Sequence, residues 1–180
     1  RGVNKYKRLG TTIDDALGEA FDKTAKILGI EFPGGPKIEK YAEKGDKNGF
    51  VLPKPILHTS GCNLSFAGLK TAVLHTSKKI KNKQDKYNLA ASFQHTINEI
   101  LKVKSKKAME LFVNNNKKNK ENYFVIAGGV ASNKTIRKTL QQVCEENNFK
   151  HLFPPLELCT DNAAMIAWAG IERYKKNLID

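Results

Sequence analysis

The order of strands and helices in the last third of the chain constrains the fold most. Two short, mainly apolar stretches with the character of strands cover residues 123–127 and 149–153. A helix capped by Ser132 or Asn133 follows the first stretch, and another helix follows the second. The order strand, helix, strand and helix is typical of a parallel sheet covered by helices. We therefore predict a parallel-sheet α/β unit over residues 123–175.

Two adjacent glycines, Gly128 and Gly129, end the first predicted strand. Glycines at this point let a ligand approach the backbone, and the helix that follows presents unpaired N–H groups and its positive dipole end to an anion. Asn133 adds a side-chain donor and an acceptor. The run GGVASN matches neither of the phosphate-binding patterns GxGxxG and GxxxxGK[ST]. A nucleotide cradle and an ordinary strand-to-helix turn are therefore both open.

The preceding part of the chain is predicted to be mostly helical. Apolar residues at helical spacing predict a helix over residues 11–28, and Pro36 is well placed to open a short second helix that ends near Gly45. A loop-rich segment, residues 46–63, leads to another helical stretch that follows Ser65. No internal repeat is present, so these helices are expected to pack as individual elements.

A long amphipathic helix is predicted over residues 89–112, because apolar side chains recur there at helical spacing. Two polar segments flank it. Residues 78–86 read as a charged connector and residues 114–122 as an exposed loop.

Composition excludes several classes of protein. No apolar run approaches the roughly 18 residues that span a bilayer, and the beginning of the chain lacks the pattern of a secretion signal. Cys62, Cys144 and Cys159 are odd in number and form no CxxC pair, so neither a disulfide framework nor a cysteine zinc site is expected. These features favour a soluble protein of the cytoplasm.

The formal net charge of +13 would suit a polyanion such as RNA. Only four of the 31 basic residues are arginine, whose planar side chain reads phosphates and bases best. Lysine enrichment accompanied by 16 asparagines can also arise from an A/T-rich genome. RNA binding and compositional bias are both open on charge alone.

The local sequence alone does not assign a role to any single residue among the candidates. Asp22 lies on the polar side of the first predicted helix, where the simplest interpretation is a solvated acid paired with Lys26. Gly35 reads as a turn glycine. Two interpretations of Asp161 are open: its carboxylate is a hard oxygen ligand that suits a metal ion, and its position before a helix also suits an ordinary helix cap. The four histidines show no HxxxH or HExxH spacing, which argues against a zinc protease.

Four motifs in order give the chain a family resemblance. They are GEAFDKTAKILGIEFPGGP at 18–36, SFAGLKTA at 65–72, IAGGVASN at 126–133 and CTDNAAMIAWAG at 159–170. Together they resemble the TsaD family of tRNA adenosine threonylcarbamoyltransferases, once labelled O-sialoglycoprotein endopeptidases. The resemblance implies an α/β fold like that of actin, Hsp70 and sugar kinases. It also implies transfer of the threonylcarbamoyl group from threonylcarbamoyl-AMP to the adenosine beside a tRNA anticodon.

The resemblance also implies roles for individual residues. Asp22, Gly35 and Asn133 correspond to substrate-binding residues, and Asp161 corresponds to a ligand of one divalent metal ion, iron or alternatively zinc. Some relatives carry an acid where this chain has Glu39, whose role is open. No catalytic base is identified. We expect residues 1–122 to form a linker strand and a mostly helical insertion, and residues 123–180 to form a nucleotide-binding half-lobe.

The remaining ligands of the metal, a pair of histidines four residues apart, belong to an N-terminal lobe of the family that this sequence does not contain. We therefore expect this chain to correspond to the C-terminal part of a family member and to be inactive alone. The partners implied are tRNA, a paralogue of the same superfold and a P-loop ATPase. Two alternatives remain: an ATPase or sugar kinase of the same superfold, and a non-catalytic, partner-binding remnant.

Overall fold

The computed structural model describes residues 3–116 and 121–178. Its α-helices are α1 (Leu17–Ile27), α2 (Gly34–Ala42), α3 (Ala67–Ser77), α4 (Lys83–Asn115), α5 (Lys134–Glu146) and α6 (Ala163–Tyr174), and its strands are β1 (Tyr123–Val125) and β2 (Lys150–Leu152). Short 3₁₀ turns cover Gly129–Ser132 and Leu156–Leu158. The described part is thus a helix-rich α/β structure with a small sheet. None of its helices has the length and hydropathy needed to cross a membrane.

The two strands pair in parallel, as predicted. Tyr123 lies opposite Lys150 and Val125 lies opposite Leu152. The strands are shorter than predicted, and one further hydrogen bond extends the pairing, from Ile126 N to the Leu152 carbonyl at 3.0 Å. Helix α5 connects β1 to β2 and packs on β2. Gly128 and Gly129 therefore follow the carboxyl end of β1 and lead into the 3₁₀ turn Gly129–Ser132, which precedes α5.

Helix α4 forms the centre of the core. Its fully buried side includes Leu89, Phe93, Ile97 and Ile100, and α2, α3 and α5 all pack against it. Phe93 also meets Phe21 of α1 edge to face, with ring centroids 5.2 Å apart. These contacts gather elements from both ends of the chain into one hydrophobic cluster.

The ends of α4 differ from the prediction. The helix begins at Lys83 because the Asn82 side chain accepts a hydrogen bond from Asp85 N at 2.9 Å, so the second half of the expected connector at 78–86 is helical. At the other end the helix continues to Asn115, into the segment 114–122 that was expected to be a loop. Residues 117–120 of that segment lie outside the described residues.

Helix α1 begins at Leu17, so the predicted start at residue 11 is wrong. Residues 11–16 instead run beside residues 63–67, with hydrogen bonds of 2.9 Å in both directions between this segment and Leu64. The Asp14 carboxylate accepts hydrogen bonds from Phe66 N at 2.7 Å and from Ala67 N at 3.3 Å. Asp14 therefore caps α3 from a distant part of the chain, and this tertiary use of residues 11–16 overrides their helical pattern.

Helix α6 contrasts with the other helices because none of its residues is buried. Its exposed side chains include several large apolar ones: Met165, Ile166, Trp168, Ile171 and Tyr174. Asn162 caps the helix by accepting a hydrogen bond from Met165 N at 3.0 Å. The helix is formed locally, and its apolar surface contributes nothing to the core of the described residues.

Replacement of Asp14 tests the long-range cap. Asp14→Ala leaves the first N–H groups of α3 without their acceptor, so we expect a loss of about 0.5–2 kcal/mol in the free energy of unfolding. Urea denaturation, monitored by circular dichroism, measures this loss in the free energy of unfolding. Glu43→Gln, which changes an exposed carboxylate at the end of α2, serves as the control.

The contribution of Asp14 also depends on pH. Burial raises the pKa of its carboxyl group, but hydrogen bonds from Phe66 N, the Ser65 hydroxyl, Ala67 N and Asp15 N outweigh burial and hold the pKa below its usual 3.8. Stabilisation is therefore complete above pH 3.8 and is lost as the pH falls through the lower folded pKa. The stability difference between the wild type and Asp14→Ala should be full at pH 7 and shrink towards pH 3. An equal difference at both values would contradict this origin.

Candidate functional site

A cavity of about 670 Å³ lies where α1 and α2 approach the turn that follows β1. Its volume falls within the range of small-molecule sites, about 300–1,000 Å³. Asp22 of α1, Gly35 of α2 and Asn133 at the start of α5 all line it. The structure thus brings together three residues that are far apart in the sequence and that the family resemblance implied as substrate-binding.

The glycine pair at the start of α2 has two different physical roles. A Cβ atom on Gly34 would lie 2.7 Å from both Ala25 Cβ and Asp22 Cα, so the close approach of α1 and α2 requires glycine there. A Cβ atom on Gly35 would meet nothing within 4 Å. The absence of a side chain at Gly35 is therefore not explained by packing, and it leaves backbone exposed to the cavity.

The glycine pair after β1 also faces open space. Gly128 has φ of +88°, a conformation that residues with a side chain rarely adopt, so the turn itself requires glycine. Gly129 lines the cavity, and a Cβ atom on it would meet nothing within 4 Å. Gly35 and Gly129 thus form two stretches of bare backbone on the cavity wall, which is the form expected where a ligand lies close to the main chain.

Asp22 is held in place by the backbone of α2. Its Oδ1 accepts a hydrogen bond from Gly34 N at 2.8 Å. The alternative in which Asp22 is a solvated acid paired with Lys26 is wrong in this respect, because its hydrogen-bond partner lies on the neighbouring helix. The carboxylate therefore caps the first turn of α2 and is presented at a fixed position beside the cavity.

Asn133 is buried and most of its polar capacity is used within the protein. Its Oδ1 caps α5 by accepting hydrogen bonds from Ile136 N at 3.0 Å and Thr135 Oγ1 at 2.9 Å. Its Nδ2 donates to Gln94 Oε1 of α4 at 2.8 Å. An amide nitrogen carries two hydrogens, so Asn133 retains one donor for a ligand while its orientation is fixed by Gln94.

The side chain of Glu39, a residue of α2, caps the N-terminus of α5. Its Oε1 accepts hydrogen bonds from Lys134 N at 2.7 Å and from Thr135 N at 3.2 Å. Together with the Asn133 cap on Ile136 N, these bonds pair the first three N–H groups of the helix. The expectation that these groups are open to an anion is therefore wrong, because a carboxylate of the protein already neutralises this end of the helix.

Asp161 lies apart from the three cavity residues. It is exposed and lines a smaller depression with Asn162 and Met165, although its neighbour Thr160 lines the main cavity. Asn162, not Asp161, caps α6, so the helix-cap interpretation of Asp161 is wrong.

The described residues lack the grouping of side chains that a metal site requires. Within residues 3–116 and 121–178, no group of three His, Cys, Asp or Glu side chains could hold a metal ion. A tightly held transition metal takes three or four protein ligands. Asp161 alone does not meet this requirement, so this part of the chain does not form a complete metal centre.

Sequence reasoning missed several residues of the site. Phe32 forms part of the cavity wall, and no sequence pattern assigned it a role there. Gln94 fixes Asn133, and its signal was a polar residue beside the apolar stripe of α4. The contact between Glu39 and α5 joins residues 95 positions apart. No local pattern indicates such a contact.

Fold and site together define an α/β protein with a partly apolar, ligand-sized cavity at the carboxyl end of a parallel strand. Comparison with known proteins gives the family. The sequence model of the family described as "TsaD: tRNA N6-adenosine threonylcarbamoyltransferase" matches residues 1–168. The chain therefore belongs to the TsaD family.

Curated relatives agree with this assignment. The chain is 66% identical over 175 residues to the tRNA N6-adenosine threonylcarbamoyltransferase of Pelagibacter ubique, a match that covers 97% of this chain and 49% of the relative. It is 51% identical over 183 residues to the proteins of the same name from Orientia tsutsugamushi and Rickettsia rickettsii, with 98% of this chain and 53% and 52% of those relatives covered. The chain spans about half the length of the curated relatives that it matches.

The two glycines of α2 give a matched pair of variants. Gly34→Ala forces a Cβ atom into the contact between α1 and α2, and we expect it to destabilise the fold by about 1–3 kcal/mol. Gly35→Ala meets no atom of the protein and should leave stability unchanged or raise it by up to about 1 kcal/mol. Urea denaturation of both variants checks this contrast.

The stable member of this pair, Gly35→Ala, tests the cavity as a binding site. The added methyl group of Gly35→Ala stands in the cavity. If the cavity binds AMP, the part of the substrate that the family resemblance implies there, this variant should bind AMP about tenfold more weakly in an NMR titration, which corresponds to ~1.4 kcal/mol. Wild-type affinity for AMP in stable Gly35→Ala would show that the nucleotide does not approach this backbone.

Proposed function

We propose that this chain supplies the C-terminal part of the active site of a tRNA N6-adenosine threonylcarbamoyltransferase. The substrates would be threonylcarbamoyl-AMP and a tRNA with an adenosine next to the anticodon. The observation that carries the proposal is the convergence of Asp22, Gly35 and Asn133 on one cavity in a chain that belongs to the family. These are the positions that the resemblance had singled out for substrate binding.

The fold proposed for the complete protein is the two-lobed fold of actin, Hsp70 and sugar kinases. Residues 123–180 would form a nucleotide-binding half-lobe, and residues 1–122 would form a linker strand and a helical insertion. The parallel pairing of β1 and β2 with α5 between them supports an α/β half-lobe.

In the proposed reaction the exocyclic amine of the tRNA adenosine attacks the carbamoyl carbon of threonylcarbamoyl-AMP. A C–N bond forms, the bond between that carbon and the phosphate oxygen breaks, and AMP leaves while the amine loses a proton. The residues described here would act by positioning, which can lower a barrier by ~7–11 kcal/mol. Gly35 and Gly129 would let the nucleotide lie against the backbone, and Asn133 would offer its remaining N–H. No side chain of the cavity is assigned as a general base or as a covalent nucleophile.

The contact of Glu39 with α5 argues against the alternative of an ATPase or sugar kinase. Such an enzyme must hold a chain of phosphates, for which the first N–H groups of a helix are suited. Here those groups bind a carboxylate of the protein at 2.7 and 3.2 Å. The site therefore suits the single phosphoryl group of an adenylate better than a triphosphate placed on α5.

We propose Asp161 as one ligand of a divalent metal ion, iron in the first place and zinc as the alternative. A carboxylate oxygen suits such ions, which would bind and polarise substrate oxygens. The remaining ligands would come from the part of the relatives that this chain does not match. The exposure of Asp161, which leaves its oxygens accessible, supports this division.

The complete protein would act in the cytoplasm with tRNA, a paralogue of the same superfold and a P-loop ATPase as partners. The exposed apolar side of α6, with Trp168 64% exposed, supports further contacts with protein outside this chain. The lysine excess supports binding of an RNA backbone, which would weaken with rising salt concentration.

The test compares this chain alone with the same chain joined to the N-terminal half of a relative. Each is incubated with threonylcarbamoyl-AMP and unmodified tRNA, and threonylcarbamoyladenosine is measured by mass spectrometry. We expect product only from the joined protein. In that protein Asp161→Ala should lower the rate at least a hundredfold, about 2.7 kcal/mol in activation free energy, while Glu157→Ala, an exposed acid four residues earlier, should not.

Two results would contradict the proposal. Product formation by the 180-residue chain alone would refute the division of the site between two halves. Absence of product from every joined protein that folds and binds metal would favour the alternative of a non-catalytic, partner-binding remnant.

A further inference from the structure

Phe32 is an aromatic side chain exposed at the wall between two cavities. It lies in the loop that joins α1 to α2, and 81% of its surface is exposed. The ring lines the main cavity and also a second cavity of about 510 Å³ on the side of α1. Asp22 is the other residue that both cavities share. A scattered exposed apolar residue needs no explanation, but this one stands at the boundary of a candidate binding site.

The surroundings of Phe32 differ on the two sides. The main cavity contains the bare backbone of Gly35 and Gly129. The second cavity is lined by charged side chains of both signs on α1, namely Glu19, Asp22, Lys23 and Lys26. Lys23 is held by Asp15 at 3.0 Å and Glu19 at 2.6 Å, whereas Lys26 is exposed. An aromatic face beside an exposed ammonium group is suited to a nucleotide, whose base stacks while its phosphate meets the cation.

We propose that Phe32 stacks on a nucleobase at this boundary. The base belongs either to the mononucleotide in the main cavity or to the RNA that approaches it from the side of Lys26. The inference rests on the proposed function, because it takes the main cavity as the place of the adenylate. Phe32 is then a positioning residue for one substrate, since its ring touches the base and takes no part in bond formation.

The first experiment uses the 180-residue chain and three probes in NMR titrations. The probes are AMP, ribose 5-phosphate, which lacks a base, and a short RNA hairpin with unpaired adenosines in its loop. We expect Phe32→Ala to weaken the binding of AMP or of the hairpin about 5- to 150-fold, the range found when a stacking partner is removed. Binding of ribose 5-phosphate should not change. The probe that responds, AMP or the hairpin, identifies the source of the base.

Two further variants separate stacking from simple apolar contact. Phe32→Tyr keeps a flat ring and should bind within about twofold of the wild type, whereas Phe32→Leu keeps apolar surface without the ring and should resemble Phe32→Ala. Tyr6→Ala is the matched control, because Tyr6 is 82% exposed and lines neither cavity. Exposed substitutions usually change stability by no more than about 0.5 kcal/mol, so all variants should unfold within a few degrees of the wild type.

The outcomes distinguish this inference from the proposed function. If the wild type binds AMP and the hairpin but Phe32→Ala binds both equally well, the stacking role is refuted and the proposed function stands. Wild-type affinity in Phe32→Leu would likewise refute stacking. If neither the 180-residue chain nor the same chain joined to the N-terminal half of a relative binds AMP or the hairpin, both the assignment of the cavity and the role of Phe32 are wrong.

Discussion

The buried side of α4 is the constraint on which the rest of the described structure depends. Phe93 packs against Phe21 of α1. The next residue, Gln94, accepts a hydrogen bond from the Asn133 amide nitrogen at 2.8 Å. Helix α4 therefore fixes α1 on one side and the start of α5 on the other. The candidate site lies between these two helices and α2, so its shape depends on the contacts that α4 makes.

Two carboxylates complete this arrangement by joining helices that are distant in sequence. Asp22 of α1 binds the first N–H of α2, and Glu39 of α2 binds the first N–H groups of α5. Each satisfies helix N-terminal donors that would otherwise need water or a ligand. The chain of contacts from α1 through α2 to α5 leaves Gly35 and Gly129 as the accessible backbone. The cavity wall therefore combines bare backbone and apolar surface with the polar side chains of Asp22, Glu39 and Asn133. The first turn of α5 has little capacity for an additional anion.

The sequence predicted those features that depend on local pattern. The order of elements after residue 122 was sufficient for the parallel sheet, and the motifs that resembled the TsaD family were sufficient for Asp22, Gly35 and Asn133 as candidates. The predicted start of α1 was wrong because Asp14 binds α3 some 50 residues away. The prediction of an open anion site on α5 was wrong because the Glu39 carboxylate binds the N–H groups there. Both errors concern long-range hydrogen bonds of carboxylates, which leave no periodic signal in the sequence.

A crystal structure of the protein with AMP would test whether the main cavity binds the nucleotide. We predict that AMP lies in this cavity against the backbone of Gly35 and Gly129, with the Glu39 carboxylate still bound to Lys134 N and Thr135 N. A nucleotide bound elsewhere on the protein would contradict the assignment of the cavity. A phosphate bound to the first turn of α5 in place of the Glu39 carboxylate would contradict the claim that this helix end is reserved for the protein's own acid.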